Sequence, residues 1–484
     1  MKFYKNKHIL LALFISGTLL FGCDDFGSTN TDPNSPSQPQ TALMFTDVFR
    51  DISDFVLTGT TSIYYVQHMS STQYASASRY ESTEFSFYSW YQGPLANLKT
   101  IIDLNTDEAT KVDALAGGSN ANQIAVARIM KAYFYQVLTD SWGMIPYSEA
   151  LQGTEEISPV YDTQQSIYMD IIKELREAAA QINTSEAGIG GDIIFGGDMS
   201  KWIAFANTLR MNAALRLSNV DPATASSEFS AAYGASGGLI TEDVKYVYLA
   251  ESANQNPWYE RYLTRIDYAL SEEIMDHLQS KNDPRLPVYA DPTEASVAAG
   301  TPEYIGMPYG VTDGEAGEIP YDAVSLIGSS LRAQDAPGYI FTMAQVYFAE
   351  AEAAQRGWIS GTASTLYYQA IQASMEQYGV YDAASFDSYI AQAGVAWNPT
   401  NAIELISEQK WLALYLCGYE AWSEWRRLGY PVLTPAPAAA AGQDVPIRFP
   451  YSTEESELNG ENYAAAVAAQ GGNITLSTPV WWDN

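Results

Sequence analysis

Apolar residues recur in adjacent pairs every four positions between Asn122 and Thr139, and that spacing commits this part of the chain to helix. Ala125/Val126, Ile129/Met130, Tyr133/Phe134 and Val137/Leu138 lay a wide apolar stripe along one side of a helix. The same period returns from Asp162 to Ile182, carried by Ile167, Ile171, Leu175 and Ala178, and again from Trp202 to Leu217. It marks 339–357 through Ile340, Ala344, Tyr347, Ala351 and Ala354, and 363–378 through Leu366, Ala370, Met375 and Tyr378. A last, long helix is predicted from Asn401 to about Leu428. Asn401 is its N-cap, Glu404 the reciprocal capping partner, and Gly429 and Pro431 its stop. A stripe of this width must be covered by another helix. The stretches 122–139 with 162–182, and 339–357 with 363–378, therefore read as helical hairpins of tetratricopeptide type, without a clean 34-residue sequence repeat.

Between these helices lie long stretches rich in Gly, Pro and Tyr, at 58–96, 236–270 and 283–337. Loops of that length inside a compact chain usually carry function. The chain has 34 Tyr and 11 Trp, and they cluster where the helical period is missing. Residues 64–91 hold nine aromatic side chains interleaved with Gln67, His68, Gln73, Arg79 and Glu81; Tyr74, Tyr80, Trp90 and Tyr91 are the candidates for ligand contact. A second set combines Asn254, Gln255, Trp258 and Tyr259 with Arg261 and Tyr262. Sugars offer apolar C–H faces with hydroxyl rims, which suits aromatic platforms edged by amides and charges. The alternative for each of these rings is a place in the core. Residues 435–442, Pro-Ala-Pro followed by alanines, read as a low-complexity connector.

The N-terminus sets the address. Lys2, Lys5 and Lys7 precede an apolar run from Ile9 to Phe21, followed by Gly22 and Cys23. That is a secretory leader over residues 1–22 with a cysteine at the cleavage point, too short for the roughly 20 residues that span a bilayer. Cys23 is expected to take a thioether-linked diacylglycerol and an N-acyl chain, with no other cofactor. Residues 23–40 read as a flexible tether and 41–484 as one domain. Losing the three leader lysines takes the formal charge from −32 to −35, which disfavours nucleic acid and anionic lipid headgroups as partners. Cys417 is then the one cysteine left, in an apolar helical setting where it reads as a small core residue.

Catalytic patterns are thinly supplied. Gly234-Ala235-Ser236-Gly237-Gly238 matches the spacing of a nucleophile elbow, but that turn needs a strand before the serine and a helix after it, and the order here is reversed. Asp103-Leu104-Asn105-Thr106-Asp107 starts like a calcium loop. Glu108 then stands where Gly is needed and Ala114 where Glu is needed, leaving only a looser calcium site open. Two histidines remain beyond the leader, and no phosphate loop, dinucleotide fingerprint or His-bearing metal motif is present. Glu420 and Glu424 share a helix face and could be read as a glycosidase pair. Glu424 can equally pair with Arg427, and Trp422 can stack on Arg426, which describes a charged helix end docking on the rest of the fold.

Several ordered blocks resemble the SusD/RagB family of surface nutrient-binding lipoproteins. They are Asn30 to Asn34; Arg128 to Tyr133 with Asp140, Trp142-Gly143 and Ile145 to Ala150; Lys201-Trp202 to Leu209-Arg210; and Asn282 to Leu286. Glu408 to Leu414 and Gly418 to Pro431 form the most specific block, followed by Pro446 to Tyr451 and Trp481-Trp482-Asp483. The resemblance implies a mainly α SusD-like fold with four tetratricopeptide-like hairpins and an irregular ligand-facing part, here 58–96 and 236–337. It implies a non-enzymatic binding lipoprotein on the outer membrane, exposed at the cell surface, with Asp24-Asp25 as an export signal. It implies capture of an oligosaccharide, or a peptide, for a SusC-like TonB-dependent β-barrel transporter. The other readings are a lipid-anchored glycoside hydrolase with paired carboxylates and a helical-repeat scaffold without small ligand.

Overall fold

The computed structural model describes residues 40–483. The leader 1–22, Cys23 and the tether up to residue 39 lie outside the described residues. From Thr41 onward the chain forms one compact unit. It is built mainly of helices; α1 (Thr41–Asp51) and α2 (Ala96–Thr106) pack together at one side. Four hairpins make the frame. α3 (Asn120–Trp142) pairs with α4 (Gln164–Gln181), and α5 (Met199–Arg216) with α6 (Pro222–Tyr233). α7 (Met343–Gln355) pairs with α8 (Ala363–Gln377), and α9 (Ala402–Ala413) with α10 (Gly418–Leu428).

Five of these helices start at a side-chain cap. Ser119, Thr163 and Asp221 accept from the backbone N–H three residues on, and Asp198 from those of Ser200 and Lys201. Thr342 and Gln345 form a full reciprocal capping box. That box fixes the start of α7 at Met343, so Ile340 belongs instead to a strand. β4 (Val244–Tyr246) pairs antiparallel with β6 (Gly338–Phe341) across a bulge at Val244/Lys245. Gly143, at φ +78°, ends α3.

Three further expectations change. The long helix from Asn401 to Leu428 is two helices, because Leu416 takes a left-handed backbone (φ +69°) and turns the chain back on itself. Gly418 then opens α10 pressed against the short helix Thr60–Tyr65: a Cβ there would stand 2.5 Å from Ile63 Cγ1 and 2.9 Å from the Gly59 carbonyl. Asn401 does not cap α9; its side-chain amide donates to Glu404 Oε2 at 3.2 Å. The connector at 435–442 is also less free than its composition suggests, since Ala436 is buried and its N–H donates to the Tyr80 hydroxyl.

The hairpins meet in a buried ionic hub. Arg216 of α5 donates to Glu420 at 2.7 Å and to Glu424, both of α10, and lies 3.4 Å from Asp140 of α3. Arg427 forks onto Glu352 of α7 (both contacts 2.7 Å) and onto Glu424, which also takes Lys410 of α9 at 2.6 Å. The fourth hairpin thus holds the second through Arg216 and the third through Glu352, and Arg216 carries the link on to Asp140 of the first. The Asn282–Leu286 block serves packing too: Arg285 is fully buried, paired with Asp283 at 2.6 Å and bonded to Gln409 of α9.

Candidate functional site

The sequence segments without helical period come together on one side through short antiparallel pairings. β1 (Met69–Ser71) pairs with β5 (Tyr268–Leu270), setting Ser71 opposite Tyr268. This brings the 64–91 aromatics against the 254–262 set: Tyr64 stacks on Tyr268 at 6.1 Å, and Trp258 meets the same ring edge-on at 5.5 Å. Arg261 lies over both Trp258 (4.7 Å) and Tyr268 (5.7 Å), and its Nη2 donates to the Thr58 carbonyl.

Beside Arg261 opens a cleft of about 380 Å³, lined among others by Arg50, Asp54, Tyr246, Asn254, Gln255 and Glu260. Arg50 and Asp54 reach it from the end of α1 and the π-helical turn Ile52–Leu57 that continues it. The 252–258 turn is held from inside by Asn256, whose amide donates to the Ala336 carbonyl (2.7 Å) while its oxygen caps Trp258 N–H. The Tyr246 hydroxyl donates to Asn254 Oδ1 at 2.7 Å, and Gln334 donates to Gln255 Oε1 at 3.0 Å, so both predicted amides are oriented. Arg261 Nη1 is buried with no hydrogen-bond partner among the described residues. Burial raises the Asp54 carboxyl, Arg50 lowers it, and the net shift is upward. Two guanidinium groups, two carboxylates and two amides within one open cleft offer donors and acceptors of both kinds without a dominant charge, the requirement for hydroxyl-rich neutral ligands.

The candidate residues separate by burial. Asn254 and Gln255 line the cleft, and Tyr259 is half-buried beside it. Tyr74 is 62% exposed, with Arg265 4.8 Å over its ring, three residues beyond the β1–β5 pairing. Trp258 is 5% exposed and acts as a floor under Arg261 rather than as an open platform. Tyr80 and Trp90, each 4% exposed, belong to the core: Tyr80 packs on Tyr65, and Trp90 on Phe55, Phe134 and Tyr419. No ligand ring reaches them. Tyr91 is partly buried, its hydroxyl committed to the Pro146 carbonyl. Arg50, Asp54 and Glu260 were not foreseen. Arg50 and Asp54 stand four residues apart in a helical stretch, a pattern that reads as a solvated helix face until the turn beyond it is known.

The catalytic alternatives find no room. Burial and Glu424 raise the Glu420 carboxyl although Arg216 opposes them. Burial would raise Glu424 as well, but Arg427, Lys410 and Arg216 together hold it well below the ordinary carboxylate range. The cavity beside Glu420 measures about 50 Å³, space for a few waters and not for a glycosidic bond. Burial, with Glu420 and Asp243 nearby, pushes the Cys417 thiol up to about 12, so it stays protonated. Ser236 follows a helix, and its carbonyl accepts from Asn207. Asp103 is engaged by Lys99 at 2.6 Å, and Asp107 accepts from the Ala109 N–H. Among the described residues no cluster of three or more His, Cys, Asp or Glu side chains could hold a metal, and no helix is long and apolar enough to cross a membrane.

A frame of four helical hairpins carrying a polar cleft on its loop side defines a helical-repeat ligand-binding protein. Residues 33–452 match the SusD-like family described as "Starch-binding associating with outer membrane", and the chain belongs to that family. Its members are binding proteins, not enzymes, and the family is carbohydrate-binding and associated with the outer membrane. Among solved structures the chain is similar to a chitin-binding protein at 30% identity and TM-score 0.79, covering 92% of this chain and 100% of that one. It is similar to a SusD homologue of Bacteroides fragilis at 26% identity and TM-score 0.78, with 92% and 100% covered. A chitin-binding SusD homologue from Flavobacterium johnsoniae, 24% identical with TM-score 0.77 over 92% and 98% of the two chains, shares the fold. The chain matches no curated protein.

Proposed function

We propose that this chain is a cell-surface lipoprotein, anchored through Cys23, that captures a neutral oligosaccharide and passes it to a SusC-like TonB-dependent barrel in the outer membrane. The cleft between Arg50 and Arg261 carries the reading. It balances two cations with two carboxylates and holds Asn254 and Gln255 in fixed orientation, and Tyr74 stands exposed on the segment that follows β1. Amides and charges take the hydroxyl rim while an aromatic face takes the C–H side of the ring. Shallow, half-open contacts of this kind give fast exchange, which suits a protein that must release its cargo. The 30% identity to a chitin-binding protein supports N-acetylglucosamine oligomers as the first ligand to try, and the family description supports α-glucans as the second.

Titration calorimetry with chitohexaose and maltohexaose tests the reading. One of the two binds the wild-type protein, and Asn254→Ala or Arg261→Ala weakens that binding at least tenfold with no new reducing ends produced. Binding that survives both substitutions unchanged, or release of reducing ends, contradicts it.

A further inference from the structure

A second open cleft, of about 430 Å³, shares no lining residue with the first. Its walls come from the end of α3 (Gly143 and Met144), the start of α4 (Thr163, Gln164 and Gln165) and the C-terminal segments around Gln470 and Trp481. The volume lies within the range of about 300–1,000 Å³ common for small-ligand sites.

Its chemistry departs from that of the whole molecule. The chain carries 57 Asp and Glu against 25 Lys and Arg, yet among the described residues none that lines this cleft bears a formal charge. What it offers instead is one indole and three primary amides. Trp481 is partly exposed, in a short 3-10 turn fixed by its neighbour. The fully buried Trp482 donates its indole N–H to Asp140 at 2.8 Å, packs under Arg426 at 4.7 Å, and donates its backbone N–H to Gln164 Oε1. Two of the amides are also fixed. Gln164 donates to the Thr139 carbonyl at 2.6 Å, and Gln470 to the Tyr451 hydroxyl at 2.9 Å. Gln165 stands exposed at the rim.

We propose that this cleft is a second binding site for neutral oligosaccharide, with Trp481 as stacking face and Gln165, Gln470 and Thr163 as hydrogen-bonding rim. The proposal rests on the sugar-binding reading given above and adds to it the place and the charge class. A pyranose ring needs a flat apolar partner and neutral donors and acceptors. Trp481 supplies the first, and the exposed amide of Gln165 supplies both donor and acceptor. Gln470, whose Nε2 is spent on Tyr451 and Ala466, adds its Oε1 as acceptor. Uronic or sulfated sugars find no cation among the described lining residues; the Arg448 guanidinium lies behind Gly143 and Gln470 but is fully buried. A peptide finds no charged group for its termini among the described residues that line the cleft. Two separated sites on one protein let a long chain engage both, raising retention without a new contact type.

Fluorine NMR of the full chain carrying 5-fluorotryptophan separates the two sites. Trp481→Phe assigns one resonance and Trp258→Phe another, the latter reporting the first cleft. On addition of chitohexaose or maltohexaose the Trp481 resonance shifts saturably. Gln165→Trp, a change at an exposed position that fills the cleft, weakens that response at least tenfold and leaves the Trp258 response intact. Arg261→Ala does the reverse. If Trp258 responds and Trp481 does not, the second site is overturned and the first reading stands. If neither moves with either sugar, both fall. If Trp481 moves only with a peptide digest, the occupant is polypeptide and the proposal is overturned.

Discussion

Glu350 shows how much one buried side chain can set. It lies on α7 with burial as the sole cause of its shift, which raises its carboxyl from 4.5 to about 7. A raised folded-state value means the folded protein holds the proton more tightly than the unfolded chain. Stability contributed by the neutral acid is present in full below about 4.5, is lost as pH climbs through about 7, and is absent above it. Glu350→Gln therefore gains thermal stability relative to wild type at pH 8 and little at pH 5, measurable as the difference in unfolding midpoint at the two pH values. An equal shift at both contradicts this. The aromatic candidates make the complementary point. Residue type alone could not separate Tyr74 from Trp90, because stacking on sugar and packing in a core ask for the same flat apolar face. What separates them is long-range: Trp90 is enclosed by Phe55, Phe134 and Tyr419 from three distant segments. Trp90→Ala costs about 3–5 kcal/mol in urea unfolding. Tyr74→Ala leaves stability within about 0.5 kcal/mol and lowers oligosaccharide affinity.

At the scale of elements, the caps Ser119 and Thr163 were not foreseen. The helices with strong period were nonetheless legible to within a few residues, as 122–139 against Asn120–Trp142 and 162–182 against Gln164–Gln181 show. The breaks were not. Nothing local in Leu414-Tyr415-Leu416-Cys417 stops a helix; the chain turns there because α10 must pack against Thr60–Tyr65 and close the fourth hairpin. Ile340 likewise fits the helical period of 339–357 but is claimed by pairing with Val244–Tyr246, a contact about a hundred residues away in sequence that no window can see. The close approach at α10 gives a direct test. Gly418→Ala must displace Ile63, Ser62 or the Gly59 carbonyl and lowers stability by about 1–3 kcal/mol. Gly460→Ala, where nothing stands within 4 Å, is neutral or stabilising. Equal effects at the two positions, read from urea midpoints, contradict the packing described.

At the scale of the whole molecule, the hub of Asp140, Arg216, Glu352, Lys410, Glu424 and Arg427 joins all four hairpins. Glu424 takes three cations at once, so Glu424→Ala strands them in the interior and costs about 3–5 kcal/mol. Among the sequence blocks that resembled the SusD/RagB family, some supply Asp140, Lys410, Glu424 and Arg427 to this hub and another supplies the Asp283–Arg285 pair, which explains why they announce the fold so clearly. They say little about the ligand. The cleft is assembled from Arg50, Asp54, Asn254, Glu260 and Arg261 across some two hundred residues, and only its 254–262 part carried a visible signature. Amide hydrogen exchange with and without saturating chitohexaose or maltohexaose tests the central claim most directly. The account predicts slowed exchange in residues 50–58 and 252–262 with the bound sugar. Protection confined to the hairpin frame, with those two segments unchanged, contradicts it.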